Sequence, residues 1–218
     1  MIYWLRTLYL MFLAYFFDDY YEKNSKPYDE DHVYEIRVLP YDLDFNLHLN
    51  NAQYFSFMEH ARFDMILKHG NVFNRCRRAG FGWVVAGVSF QFRRSAKLFE
   101  KVKIVTRVAC ADEKWLYVEQ NFFVKNKFIG RGIVRMCTVD SKGKAVPTKR
   151  YFEEILRVDL DTADAKYRMT REDYRKYMTA LNDSMDGNVS SKDSLSDDIM
   201  PRVSSFVFHD ETLKEKQN

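Results

Sequence analysis

The order of periodic patterns limits this chain to an α+β fold with one antiparallel sheet and one central helix. Residues 33–40 alternate apolar and polar side chains, as a half-buried strand does. Residues 51–69 carry apolar side chains at steps of three and four and on other sides as well, which indicates a helix wrapped by other structure. Four more strand patterns follow, at residues 83–92, 100–108, 115–124 and 128–139. Serial antiparallel strands form one sheet, and the apolar helix must lie against its concave face.

Capping and turn residues mark the ends of these patterns. Asn50 or Asn51 is a good N-cap for the predicted helix, and Gly70 is a natural stop. Asn126 and Lys127 form a short polar joint between the last two strand patterns. Such a joint predicts a hairpin.

Composition excludes several classes of protein. The chain is 46% hydrophobic and 16% aromatic, enough for a packed core, and its net charge of +3 gives no concentrated basic face for nucleic acid. The cysteines Cys76, Cys110 and Cys137 are widely spaced, so we expect buried free thiols and no metal site. His60 and His69 each stand alone on the predicted helix and are expected to be surface or core residues. No glycine pattern for phosphates or dinucleotides occurs, so no cofactor is predicted.

The first 17 residues, MIYWLRTLYLMFLAYFF, differ from the rest because Arg6 is their only charge. The stretch is marginal for a membrane span, which needs about 20 residues, unless Arg6 reaches the interface. We favour an uncleaved membrane anchor; a cleaved signal peptide and a core or interface helix are the alternatives. No small-x-small cleavage site surrounds Ala14. Either of the first two interpretations predicts the endoplasmic reticulum membrane, the secretory pathway or secretion.

The chain divides into five predicted parts. They are an anchor or signal at residues 1–17, a charged linker at 18–32, the α+β domain at 33–157, a helical extension at 158–181 and a tail at 182–218. A short helical stretch that begins at Pro147 closes the domain. The tail is rich in Ser, Asp, Asn and Lys, which predicts disorder.

The segment DLDFNLHLNN, which ends at Asn51, carries the most chemistry. Asp44, Asn46 and His48 recur at every second position, and alternate residues of an extended segment point the same way. These side chains are therefore predicted to converge beside the start of the helix. Backbone N–H groups near Asn51 and Ala52 would suit an acyl oxygen that becomes negative during reaction. The alternative is that the acid and the amide only shape a turn and cap the helix.

This segment, with Tyr54 and the run EHAR that begins at Glu59, resembles the signature of hotdog thioesterases of the 4-hydroxybenzoyl-CoA type and of plant acyl-ACP thioesterases. It is also similar to that of the animal group called thioesterase superfamily member six, which has an N-terminal apolar segment too. The resemblance covers about residues 33–139. It implies a single hotdog fold, in which the antiparallel sheet wraps the long helix.

The resemblance also implies roles for three residues. In the 4-hydroxybenzoyl-CoA type, the second acid of an Asp-x-Asp pair is the nucleophile or general base, and that role falls on Asp44. In the plant enzymes an Asp-x-Asn-x-His spacing carries the catalytic acid, amide and imidazole, which here are Asp44, Asn46 and His48. Those enzymes take a further catalytic Glu from a second hotdog repeat. This chain has one repeat, so that group is missing or comes from a partner chain.

Five residues are predicted to bind substrate: Asn51, Tyr54, Glu59, Arg93 and Arg94. The alternative for Glu59 is a structural ion pair with Arg62, three residues along the helix. Arg93 and Arg94, with Lys97, follow the first long strand and could meet the phosphates of CoA or of a carrier arm. The alternative for them is a solvated strand end.

The favoured function is hydrolysis of acyl-CoA or acyl-carrier thioesters, with long acyl chains preferred because the aromatic content suits a fatty tail. The alternative is a hotdog protein that binds acyl groups or lipids without turnover. A hotdog dehydratase is a third possibility, but it needs its His and acid placed differently around the helix start. A single hotdog exposes a sheet edge and half a cleft, so a homodimer is predicted.

Overall fold

Residues 2–26 and 30–158 are described by the structure, a computed structural model. They all belong to one compact unit, Met1–Arg168. The predicted tail at 182–218 and all but the first residue of the predicted helical extension at 158–181 lie outside the described residues. Those two predictions therefore stay predictions.

The described elements follow the predicted order, with additions before and after the central helix. The helices are α1 (Ile2–Phe16), α2 (Asp18–Lys23), α3 (Asn51–Lys68), α4 (Val72–Ala79) and α5 (Thr148–Tyr151). The strands are β1 (His32–Arg37), β2 (Gly82–Phe92), β3 (Lys101–Ala111), β4 (Leu116–Val124) and β5 (Lys127–Val139). A 3-10 turn (Pro40–Asp42) follows β1, and a π-helical turn (Phe152–Leu156) continues α5.

All five strands form one antiparallel sheet in the order β1-β3-β4-β5-β2. The helix α3 packs on this sheet through Tyr54, Phe57 and Met58, which are at most 1% exposed. Burying one such side chain stabilises a fold by roughly 1.5–3 kcal/mol. The helix comes so close to β5 that a side chain at Gly132 would collide with Met58. The single-hotdog prediction, a sheet around a long apolar helix, is confirmed.

The N-terminus of α3 is capped as predicted. Asn50 is the N-cap residue, and its side chain accepts a hydrogen bond from the backbone N of Ala52. The helix ends at Lys68, one residue before the predicted end. Gly70, with φ +83°, follows it in the left-handed conformation that glycine adopts without strain.

The structure differs from the sequence predictions at the β4–β5 hairpin and in two short helices. The β4–β5 hairpin turns at Lys125 and Asn126, with φ of 50° and 61°, instead of at Asn126 and Lys127. Positive φ at both central residues is the mark of a type I′ turn, whose twist matches that of the strands. The helix α4 was not predicted, although Asn71 caps its start and Gly80 its end. The short helix α2 lies inside the predicted linker.

The helix α1 packs against the domain. Leu10 and Ala14 are buried against Leu67 of α3. The carbonyl oxygen of Ala14 also accepts hydrogen bonds from the side-chain amides of Asn71 and Asn74, both at 2.8 Å. Such contacts are those of a core or interface helix, the third interpretation of this segment.

Among the described helices, none combines the length and the apolar character needed to cross a membrane. The helix α1 has 15 residues. The anchor and signal interpretations, and the location that they imply, stay predictions.

Candidate active site

Asp44 begins a tight turn. Its Oδ1 accepts hydrogen bonds from the backbone N of Asn46 at 2.9 Å and of His48 at 3.2 Å. The backbone N of Asp44 in turn donates to the carbonyl oxygen of His48 at 2.8 Å. Leu47, with φ 57°, completes the turn. The prediction of an extended segment with three side chains on one side is therefore wrong. An aspartate side chain can accept hydrogen bonds from the backbone N–H groups that follow it, and these bonds favour a turn over an extended chain.

The three predicted catalytic side chains differ in their surroundings. Asp44 and His48 are half-buried, whereas Asn46 is exposed. Within the described part of the chain, neither Oδ2 of Asp44 nor the imidazole of His48 makes a hydrogen bond. The backbone of His48, and not its ring, orients the acid. One carboxylate oxygen of Asp44 is thus fixed and the other is available for chemistry.

The start of α3 offers one backbone donor beside this turn. The N–H of Ala52 is taken by the side chain of Asn50 at 2.9 Å, and the N–H of Gln53 by the carbonyl of Asn50 at 2.9 Å. Among the described residues, no acceptor bonds the N–H of Asn51. Of the two predicted oxyanion donors, the N–H of Asn51 can therefore bind an oxyanion, whereas the N–H of Ala52 is already used in the helix cap. A helix N-terminus adds a partial positive charge there.

The loop after β2 lies directly against the Asp44 turn. The N–H of Leu49 donates to the carbonyl of Ala96 at 2.8 Å, and His48 forms an antiparallel bridge with Lys97. The exposed cations of this loop are Arg93, Arg94 and Lys97. The loop that carries the predicted phosphate-binding residues therefore lies beside the candidate site.

Tyr54 lies beneath the site instead of in its wall. It is 1% exposed, and its hydroxyl donates to the carbonyl of Arg94 at 3.5 Å and accepts from the N–H of Ala96 at 3.4 Å. Burial raises the pKa of Tyr54, and the negative charge of Asp44 raises it further. The predicted substrate contact is therefore a buried residue that holds the neighbouring loop.

The outer face of α3 carries the remaining predicted residues. Asn51, Phe55 and Glu59 are exposed on it. The guanidinium of Arg62 donates to the side-chain oxygen of Gln120, a fully buried residue of β4, at 2.8 Å. This contact ties the helix to the sheet.

A buried polar cluster on the far half of α3 was missed. Oδ2 of Asp64 lies 2.8 Å from Nε2 of His32 and 2.7 Å from Nζ of Lys68. The only signal was the four-residue spacing of Asp64 and Lys68, since His32 lies outside the helix. His60 and His69 are also buried, with Thr7 and the carbonyl of Lys26 as their respective neighbours.

The thiols Cys76 and Cys137 are free and buried, as predicted, and the side chain of Cys110 lies outside the description. No group of acids, histidines and cysteines in residues 2–26 and 30–158 has the arrangement of a metal site.

Comparisons with known proteins identify the family. Residues 38–179, more than half of the chain, match the model of the thioesterase-like superfamily. Protein THEM6 of Xenopus laevis is 40% identical over 101 residues, which cover 46% of this chain and 48% of that protein. Protein THEM6 of Drosophila melanogaster is 28% identical over 181 residues, 78% of this chain and 91% of that protein. The long-chain acyl-CoA thioesterase FadM of Escherichia coli is 32% identical over 74 residues, 34% and 55% of the two chains.

The chain spans about half the length of the first two curated relatives, 48% of the Xenopus laevis protein and 44% of its Danio rerio counterpart. The crystal structure of YbaW, a probable thioesterase from Escherichia coli, superposes with a TM-score of 0.54 at 23% identity, covering 57% of this chain and 96% of that one. The DHNA-CoA thioesterase of Staphylococcus aureus gives 0.53 at 20% identity, with coverages of 71% and 95%. These likenesses show the fold. This chain belongs to the thioesterase-like superfamily.

Proposed function

We propose that this protein hydrolyses acyl thioesters, that long-chain acyl-CoA is its preferred substrate, and that Asp44 is the base or nucleophile. The Asp44 turn is the observation that carries the proposal. It presents a half-buried carboxylate with one oxygen held by two backbone N–H groups, beside the N-terminus of α3. Membership of the thioesterase-like superfamily supports the reaction class.

Thioester hydrolysis needs a group that activates water or attacks the carbonyl carbon, and donors for the oxyanion that forms. Oδ2 of Asp44 takes a proton from the water that attacks the carbonyl carbon, or attacks that carbon itself to form a mixed anhydride that water then hydrolyses. In either route the C–S bond breaks, and CoA or the carrier arm leaves as the thiol after taking up a proton. The N–H of Asn51 and the positive end of α3 stabilise the oxyanion. His48, half-buried in the same turn, is the second-rank candidate to carry a proton, whereas the exposed Asn46 is better placed to contact the thioester.

The surroundings of the turn support a substrate with anionic and apolar ends. Arg93 and Arg94 would pair with phosphates of CoA or of a carrier arm. The turn itself exposes two apolar side chains, Phe45 and Leu47, and Phe55 and Phe92 are exposed on α3 and β2. FadM, one of the relatives, is a long-chain acyl-CoA thioesterase.

We also propose that two copies pair along β2. Within the described residues this strand bonds only to β5, so its other edge has unpaired backbone groups. Its exposed apolar side chains are Val84, Val85, Val88 and Phe92. The ring of Phe55 on α3 lies 6.3 Å from that of Phe90 on β2, so a partner on this edge would also meet the outer face of α3. A group that the single repeat lacks could then come from the partner.

The second candidate function is binding of acyl groups without hydrolysis. The observation in its favour is that the His48 imidazole makes no hydrogen bond to Asp44 in the described structure. An enzyme that depended on that pair would need the turn to rearrange.

The test of the proposed function is a panel of acyl-CoA substrates, from acetyl to stearoyl, incubated with the full chain. Release of free thiol and equilibrium binding are measured on the same samples. Turnover that rises with chain length is expected. Binding without turnover would establish the second candidate, and neither binding nor turnover would overturn both.

The paired-copy proposal is tested by light scattering on Val88→Lys. A lysine on the β2 edge should shift the protein from dimer to monomer. Val33→Lys, on the exposed edge strand β1, is the matched control and should leave the mass unchanged. A monomeric wild type, or equal masses for the two variants, would overturn this proposal.

A further inference from the structure

We propose that α1 binds a phospholipid surface lengthwise, with its axis in the plane of the membrane, while its opposite face stays packed on the domain. This is an interaction surface separate from the proposed hydrolysis. It also differs from a spanning anchor, because the helix keeps its contacts with the protein.

One face of α1 is apolar and exposed along its whole length. Its members, with the exposed fraction of each, are Trp4 65%, Leu5 58%, Leu8 57%, Tyr9 62%, Phe12 50%, Tyr15 49% and Phe16 73%. At 3.6 residues per turn they occupy an arc of roughly 140°, and the helix is about 22 Å long. This arc, named here the aromatic face, has no charged side chain.

The opposite face holds the helix against the domain. Leu10 and Ala14 are buried there, and the carbonyl of Ala14 accepts two side-chain hydrogen bonds from the residues around α4. Arg6, the only charge of α1, pairs with the buried Asp42 at 3.2 Å. To cross a bilayer, the helix would have to give up all of these contacts. Binding along the surface keeps them.

The composition and the rim of the aromatic face favour lipid as the occupant. Tryptophan and tyrosine rings sit at the headgroup level of a membrane, with leucine and phenylalanine in the acyl boundary. The exposed guanidinium of Arg77 lies over the ring of Tyr15 at 5.6 Å, at the edge of this face. Its neighbour Arg78 is 57% exposed but is paired with Asp18, so Arg77 is the cation that this edge offers. A cation at the rim of an apolar face complements lipid phosphates.

The face of α1 that packs on the domain is connected to the candidate active site. Arg6 connects α1 to Asp42, and the carbonyl of Asp42 accepts a hydrogen bond from the N–H of Asn50 at 2.8 Å. Asn50 caps α3 beside the Asp44 turn. A membrane bound to α1 would thus be linked to the candidate site through Arg6 and Asp42.

The first test is flotation of the full chain with preformed vesicles of phosphatidylcholine that contain a minor fraction of phosphatidylserine. Wild type should float, and Leu8→Gln with Phe12→Gln should lower vesicle affinity about tenfold or more. The matched control is Leu98→Gln with Phe99→Gln, which removes an exposed leucine and phenylalanine elsewhere and should float like wild type. Circular dichroism checks that both variants fold.

Three outcomes of this test would overturn the proposal. They are no flotation of wild type, equal flotation of the two double variants, and a change of oligomeric state in the α1 variant without any vesicle binding. The last outcome would assign the face to a second copy.

The second test measures depth with brominated lipids. In a background of Trp83→Phe and Trp115→Phe, quenching reports Trp4 alone. Adding Trp4→Phe with either Phe12→Trp or Phe16→Trp moves the reporter along the helix. We expect the same shallow depth at all three positions. A reporter that is deep at the middle and shallow at the ends would instead show a helix that spans, and would contradict lengthwise binding.

Discussion

Arg6 contacts both carboxylate oxygens of Asp42, with Nη1–Oδ1 at 3.3 Å and Nη2–Oδ2 at 3.2 Å. The Asp42 side chain is 1% exposed, and its Oδ2 also accepts from the N–H of Leu39 at 2.9 Å. The two charged residues are 36 positions apart in the chain. This pair fastens α1 to the segment that leads into the candidate site.

Arg6→Met should destabilise the fold by about 3 kcal/mol, because it leaves the buried carboxylate of Asp42 without its cation. Urea unfolding measures the change. Lys101→Met is the control, since the pair of Lys101 with Glu35 is 55% and 47% exposed and should contribute less than about 1 kcal/mol. Equal losses in the two variants would contradict a structural role for Arg6.

The stability of the domain should fall in acid through Asp64. Burial raises the pKa of Asp64, but hydrogen bonds from His32 and Lys68 outweigh burial, so the net pKa lies below its ordinary value. A lowered folded-state pKa stabilises the fold above the unfolded pKa, about 3.9, and that stabilisation disappears as the pH falls through the folded value.

Urea unfolding from about pH 7 to about pH 3 checks this sign. Asp64→Asn should lower stability at neutral pH and flatten the acid dependence. Glu35→Gln, in an exposed pair, is the control and should leave the curve near that of wild type. A curve for Asp64→Asn as steep as that of wild type would refute the assignment.

Cys76 should be inert in the folded protein. It is 1% exposed, and burial raises the pKa of its thiol to about 12. Since the thiolate is the reactive form, Ellman's reagent at about pH 8 should not react with native Cys76. The measurement uses Cys110→Ser, in which only Cys76 and the buried Cys137 remain. Both thiols should react once denaturant is added, and a fast thiol in the native variant would be the contrary result.

The long helix and the sheet could be predicted from sequence because their signals are local and repeat. Apolar side chains recur along α3, and Asn50 and Gly70 mark its ends. The short α4 lacks enough turns for a periodic signal, and its run of arginines hides it, although Asn71 and Gly80 were available as caps. Length and repetition therefore decided which helices could be found.

The sequence predicted which residues lie at the candidate site but not the backbone conformation that holds them. The alternation of Asp44, Asn46 and His48 fits an extended chain as well as it fits a turn. Only the hydrogen bonds that the Asp44 carboxylate accepts from the backbone distinguish the two. Long-range contacts are also invisible in local patterns. Hydropathy reports that α1 is apolar, but the partner of Arg6 lies on another element. The loop at residues 93–97 follows β2, and its position beside the site depends on where the sheet places that strand.

Hydrolysis of a long-chain acyl-CoA by Asp44→Asn tests the central claim most directly. The amide keeps an oxygen that can accept the N–H groups of Asn46 and His48, so the turn is preserved while the charge is removed. Asp112→Asn is the matched control, because Asp112 accepts the backbone N–H groups of Lys114 and Trp115 in the same way, in the β3–β4 connection. We predict that Asp44→Asn lowers kcat by about a hundredfold or more and that Asp112→Asn keeps wild-type turnover. Equal rates for wild type and Asp44→Asn would contradict the account.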